Sequence, residues 1–304
     1  MEAFTFFGLG SAAAMLATLL TGGLWCRKQR IPYLAWILMA VIGIPLAWVL
    51  SRLVFCLSSL PYYLQTIGDA SLMLRFQDGG ASLMGAFGGL VLSAFLVEKW
   101  QKLPCGSLMD AVGLGASLGV IIERLCEGPT GSMGHGRQIL SELLLPLGVT
   151  DDLVHPVYMY EAVAAAAILI VLLVWLGRSG WSIKHSGDVL LVFMVLFGAS
   201  QVVLDSMRDD RHMLLIHFVH INQIIAIVLP VIALVIWTLR AMKNGMKKNQ
   251  AIVAWLVTAA AIVIGIVQEF AVDSSENLFI DYGVMAAACA VIAIVALRMR
   301  RRAE

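Results

Sequence analysis

Long apolar runs alternate with short polar or glycine-rich connections along almost the whole chain. Nine runs are long enough, or nearly so, to cross about 30 Å of hydrocarbon as helices. They fall at roughly Phe4–Trp25, Pro32–Leu57, Ala81–Val97, Leu108–Leu125, Pro156–Leu176, Val189–Ser206, Leu214–Leu239, Ala251–Phe270 and Leu278–Leu297. The pattern predicts an all-α polytopic membrane protein with about nine transmembrane helices. No globular domain, internal repeat or low-complexity linker interrupts it, and the longest stretch between runs is Cys126–His155.

Composition excludes a soluble reading. Of the 304 residues, 60% are hydrophobic, against 45–50% in a typical soluble domain. The formal net charge of +1 says little; its distribution says more. Fifteen of the 21 basic residues, including every lysine, lie on alternate connections and the tail: Arg27, Lys28, Arg30, Lys99, Lys102, Arg178, Lys184, Arg240, Lys243, Lys247, Lys248, Arg298, Arg300, Arg301 and Arg302. That bias predicts a cytoplasmic carboxyl terminus and an amino terminus outside. Basic residues follow the first apolar run instead of preceding it, so the amino terminus does not read as a cleavable signal. The opposite side and the membrane keep Arg52, Arg75, Arg124, Arg137, Arg208 and Arg211. Arginine holds phosphate in a two-pronged fork that lysine lacks. The five cysteines show no metal spacing, and no metal, nucleotide or cofactor motif is present.

The chain is organised around Ile121–Gly136, where Glu123, Arg124 and Glu127 stand at or just inside a membrane boundary. Ionisable groups there are costly unless paired or used. Arg124 and Glu127 also have the spacing of a simple helical ion pair. Three further clusters lie on the same predicted side. In Asp78–Gly89 the glycines Gly79, Gly80 and Gly85 with Ser82 allow either close helix packing or a backbone approach to a lipid head group. In His155–Glu161, Pro156 suits a helix start, while His155, Tyr160 and Glu161 are head-group contacts or interfacial anchors. Gln201, Asp205, Arg208 and Asp209 share one face by helical spacing, with Gln223 on the same side at the start of the seventh helix. The convergence suggests one polar cavity open to the outer leaflet.

Several of these stretches together resemble the bacterial prolipoprotein diacylglyceryl transferase family. They are DAVGLGASLGVIIER at Asp110–Arg124, GGASLMG at Gly79–Gly85, HPVYMYE at His155–Glu161 and LFGASQVVLDSMRDD at Leu196–Asp210. Arg52 near the end of the second helix and Phe6-Phe7-Gly8-Leu9 in the first fit the same order. The resemblance covers about residues 5–240. The family has seven helices, so residues 1–240 read as the family domain and 241–304 as two additional helices with a basic tail.

The resemblance implies an enzyme of the bacterial inner membrane that moves a diacylglyceryl group from phosphatidylglycerol to a lipoprotein cysteine, releasing glycerol phosphate. Arg124 and Arg208 match family arginines and would hold the phosphate, Asp205 would orient them, and Glu127 is the candidate base. Arg52, Gly79, Gly80, Ser82, Gly85, His155, Tyr160, Glu161, Gln201 and Gln223 are the expected lipid contacts. The chain departs from the family where Met84 replaces a histidine, Glu127 an asparagine, Gln201 an arginine, Asp205 a glutamate and Phe7 a tyrosine. A non-catalytic protein that binds phospholipid or a partner, and a transporter, are the competing readings.

Overall fold

The computed structural model describes residues 2–75, 80–128, 134–139, 145–209, 214–216, 219–272 and 278–304. Nine long helices occur among them: α1 (Glu2–Lys28), α2 (Tyr33–Ser58), α3 (Leu83–Trp100), α4 (Ser107–Glu127), α5 (Val157–Arg178), α6 (Asp188–Ser206), α7 (Ile221–Lys243), α8 (Lys248–Val272) and α9 (Leu278–Ala303). Eight are long and apolar enough to cross a membrane. The other, α4, is of similar length but carries Asp110, Glu123, Arg124 and Glu127. The protein is thus an all-α, multi-span membrane protein.

The expected boundaries hold to within a few residues except at the end of the ninth helix, which continues from Leu297 to Ala303, and at the start of the seventh. The apolar run from Leu214 does not begin as helix: Leu215–Ile216 (β1) pairs antiparallel with Val219–His220 (β2). The helix starts at Ile221 because Gln223 turns back to accept the His220 N–H through its side-chain oxygen, which closes a capping box. The sixth helix ends at Ser206, so Arg208 and Asp209 leave the helical face that spacing assigned them. Arg208 instead forms an isolated antiparallel bridge with Gly136.

The described residues form two compact units. The first comprises Met1–Phe193 and Met207–Leu214, the second Met194–Ser206 and Leu215–Glu304.

In the first unit α4 packs against α1, α3 and α5, and most of its length is buried. Small residues permit this. A methyl group on Gly115 or Gly119 would overlap Thr18 of α1, and one on Gly113 would meet the Leu190 backbone of α6. Two buried carboxylates fix helix starts. Glu98 accepts the N–H groups of Gly106, Leu108 and Met109, capping α4. Asp110, in the first turn of α4, accepts those of Gly187, Val189 and Leu190, capping α6. Each supplies the negative charge and acceptors that a helix amino end lacks.

In the second unit α9 packs on α7 and α8, with Ala261, Ala288 and Ile292 in a shared apolar core. Gly198 of α6 lies against Ala226 and Pro230 of α7. On α8, Glu269 is only 4% exposed.

Candidate functional site

Residues 134–139 assemble the site in the first unit. This segment lies between two others: Gly136 N–H donates to the His155 carbonyl at 2.8 Å and Arg137 N–H to that of Met207 at 3.1 Å. The Asp209 N–H donates to the His135 carbonyl, which locks the chain after α6 in place. These bonds carry Arg208 to the end of α4 and the start of α5.

There Arg124, Glu127, Arg208 and Glu161 form a closed ring of alternating charge. Arg124 Nη1 donates to Glu127 Oε2 at 2.5 Å, and Arg124 Nε lies 2.9 Å from Glu161 Oε2. Arg208 Nη2 reaches Glu127 Oε1 at 3.2 Å, and its Nη1 reaches Glu161 Oε2 at 3.0 Å. The four side chains are at most 13% exposed. Burial of this kind is tolerated because every charge faces two of opposite sign and the sum is zero. Gly134 covers the ring. Its φ of +76° is left-handed, and a Cβ there would sit 3.0 Å from Glu127 Cδ. Beside the ring, Ser11 of α1 donates to Glu123 Oε1 at 3.0 Å.

Of the residues expected to carry chemistry, the structure brings together Arg124, Glu127 and Arg208, and adds Glu161, which was expected as a lipid contact. The acids that meet these arginines are Glu127 and Glu161. Asp205 has partners in its own unit: Asn222 Nδ2 donates to its Oδ1 at 3.4 Å, and His220 Nδ1 lies 3.3 Å from its Oδ2. Gln201 is 5% exposed, and its amide nitrogen has no hydrogen-bond partner.

His155 and Tyr160 form a pair, with His155 Nδ1 3.2 Å from the Tyr160 hydroxyl. Burial lowers the His155 imidazole below its ordinary value, so it is neutral at neutral pH.

The remaining expected lipid contacts hold a loop. Arg52 is buried and donates to the carbonyls of Leu72, Met73, Arg75 and Gly80 at 3.0–3.3 Å. Ser82 caps α3 through its hydroxyl, and its backbone pairs with Ser51. Gly85 lets α3 approach the α2 backbone at Leu50 and Ser51. Gly80 lies against the Phe55 ring, and Gly79 lies outside the described residues.

Gln223 joins three helices in the second unit. While accepting from His220, it donates to the Val202 carbonyl of α6 at 3.2 Å and to Glu269 Oε2 of α8 at 2.8 Å. Tyr282 of α9 donates to the Ser206 carbonyl at 3.4 Å. Neither Glu269 nor Tyr282 stood out in the sequence. The only signal for Glu269 was a lone acid near the end of an apolar run, which reads equally well as a membrane boundary.

Comparison with known proteins agrees with the motif series. The model of the prolipoprotein diacylglyceryl transferase family matches residues 2–239. Among curated relatives, the phosphatidylglycerol–prolipoprotein diacylglyceryl transferase of Clostridioides difficile is 26% identical over 178 residues, 58% of this chain and 67% of the relative. The protein of that name from Allorhizobium ampelinum is 27% identical over 223 residues, 72% and 74% of the two chains. That of Finegoldia magna is 24% identical over 211 residues, 68% and 79%. A family match over most of the chain, on a helical membrane scaffold whose ring arginines lie in the quoted motifs, places it plainly: the chain belongs to the prolipoprotein diacylglyceryl transferase family.

Proposed function

We propose that this protein is a membrane-embedded transferase that takes phosphatidylglycerol as donor and transfers its diacylglyceryl group to the cysteine of a lipoprotein. The observation that carries this reading is the ring of Arg124, Glu127, Arg208 and Glu161, set within the family match. Two fixed guanidiniums are the cations that a departing phosphate needs. In the resting ring both oxygens of Glu127 are engaged by arginine. A phosphate that binds the guanidiniums competes with that carboxylate, and the displaced Glu127 then accepts the thiol proton. The thiolate attacks the diacylglyceryl carbon that bears the phosphate. A C–S bond forms, the C–O bond breaks, and glycerol phosphate leaves with the bonding pair, its charge met by Arg124 and Arg208. Proton acceptance is thereby coupled to donor binding, a working replacement for the family histidine whose place Met84 occupies.

We further infer that α4 crosses the membrane with the other eight helices, in a bacterial inner membrane. The basic connections face the cytoplasm and the ring faces the outer leaflet. Residues 1–240 form the family domain, with α8 and α9 an addition to it. The test is incubation of the purified protein with phosphatidylglycerol and a cysteine-containing lipobox peptide, followed by mass spectrometry. A diacylglyceryl mass on the cysteine with release of glycerol phosphate supports the reading. Donor that copurifies and is never consumed contradicts it.

A further inference from the structure

Three connections of the first unit meet at the amino end of α4, away from the ring. They are residues 29–32, 101–106 and 179–187, and with the neighbouring helix ends they line a cavity of about 300 Å³. Ser107 and Arg124 are 17 residues apart on α4, about 25 Å at the rise of an α-helix, so one head group cannot occupy both places.

Four features of this cavity point to an anion. Arg30 lines it and is exposed to whatever enters. Ser107 also lines it; only 9% of the residue is exposed, and its hydroxyl has no hydrogen-bond partner. That hydroxyl is not needed as a helix cap, because Glu98 already caps α4. The acid in the wall, Asp110, has both oxygens engaged by three backbone N–H groups at the start of α6, which offsets its charge toward a ligand. Finally, residues 27–33, 98–106 and 178–188 contain seven Lys or Arg against two acids, Glu98 and Asp188; both acids are buried, and Glu98 is engaged by backbone N–H groups at the start of α4. Basic pockets between membrane helices are suited to anionic head groups.

The backbone adds support. The Ile31 N–H returns to the Cys26 carbonyl at 2.9 Å, and Arg30 before it has a φ of +57°. This helix ending ordinarily uses glycine at that position. An arginine there keeps a charged fork at the mouth of the cavity despite the strained conformation.

We propose that this cavity is a second phosphate site, separate from the ring, in which Arg30 and the Ser107 hydroxyl bind the phosphate of an anionic lipid head group or of a free phosphate compound.

The test uses the full-length protein and two variants that spare the fold. Arg30→Asn removes the cation but suits the left-handed backbone, and Ser107→Ala removes a hydroxyl that bonds nothing. Two probes separate the sources. Inorganic phosphate is titrated into the detergent-solubilised protein by calorimetry. Retained lipid is counted by native mass spectrometry from mixed phosphatidylglycerol–phosphatidylcholine micelles. Phosphate binding at least tenfold weaker in both variants, with the lipid count unchanged, assigns a free phosphate. One fewer phosphatidylglycerol in both variants, whatever the phosphate result, assigns a head group. In either case turnover of the transferase reaction stays at the wild-type level, since the ring is intact. Variants that bind both probes like the wild type overturn the proposal.

Discussion

Arg124 and Arg208 share one carboxylate oxygen, Glu161 Oε2, at 2.9 and 3.0 Å. Two like charges are brought together by the acid between them, and Glu127 holds the other side. The pair is therefore a dication held between two carboxylates; in the proposed reaction Glu161 keeps the arginines together while a phosphate takes the place of Glu127.

Glu127→Gln tests that exchange. The amide keeps an acceptor for an arginine but cannot take a proton at neutral pH, and the ring becomes net positive. Turnover should fall by about 10²–10⁴-fold, the usual worth of a general base, while KM for phosphatidylglycerol stays level or falls. Steady-state kinetics with varied donor separates the two. A rise in KM with turnover intact would assign Glu127 to donor binding alone.

Gly134→Ala should damage the ring without touching its charges. The left-handed backbone costs an alanine about 1–2 kcal/mol, and the new methyl group would press on Glu127 Cδ. The expected outcome is a melting point lower by a few degrees and a loss of turnover of at least tenfold. Thermal melts run beside the peptide assay check both.

His155 gives a pH dependence with a defined sign. Burial depresses its folded-state pKa, so below the ordinary value of about 6.5 the unfolded chain binds the extra proton more readily. Its contribution to stability is complete above 6.5 and is lost as pH falls through the lower folded value. Melting points measured from pH 8 to pH 5 should decline less steeply for His155→Gln than for the wild type; identical slopes would show that this histidine does not titrate with unfolding.

How much of this could be read from the chain differs from place to place. The helices were legible because hydrocarbon thickness fixes the length of an apolar run. Arg124 and Glu127 were legible as a pair because they are three residues apart. Their closure by Glu161 and Arg208 was not, since it depends on how residues 134–139 bridge distant segments. Helical spacing also placed Arg208 on a face of α6, but the helix ends two residues before it. Asp110 and Glu98 were hidden for a related reason. Each caps a helix from a distant position, whereas a capping box leaves a local signature, as His220 and Gln223 do.

Glu269→Ala should destabilise the second unit by about 1–3 kcal/mol, the cost of leaving the buried Gln223 donor without its acceptor. Glu269→Gln keeps an acceptor oxygen and should lose less. Melting of the two variants side by side tests this, and equal losses would mean that the charge of Glu269 matters more than its bond to Gln223.

The most direct test of the ring is Arg124→Lys in the peptide assay. Lysine keeps the positive charge but cannot span Glu127, Glu161 and a phosphate with a planar fork. The account predicts a loss of transfer of at least 100-fold, with phosphatidylglycerol binding weakened and the protein still folded. Transfer at or near the wild-type rate would contradict it, because the ring would then be a structural ion-pair cluster and the chemistry would lie elsewhere.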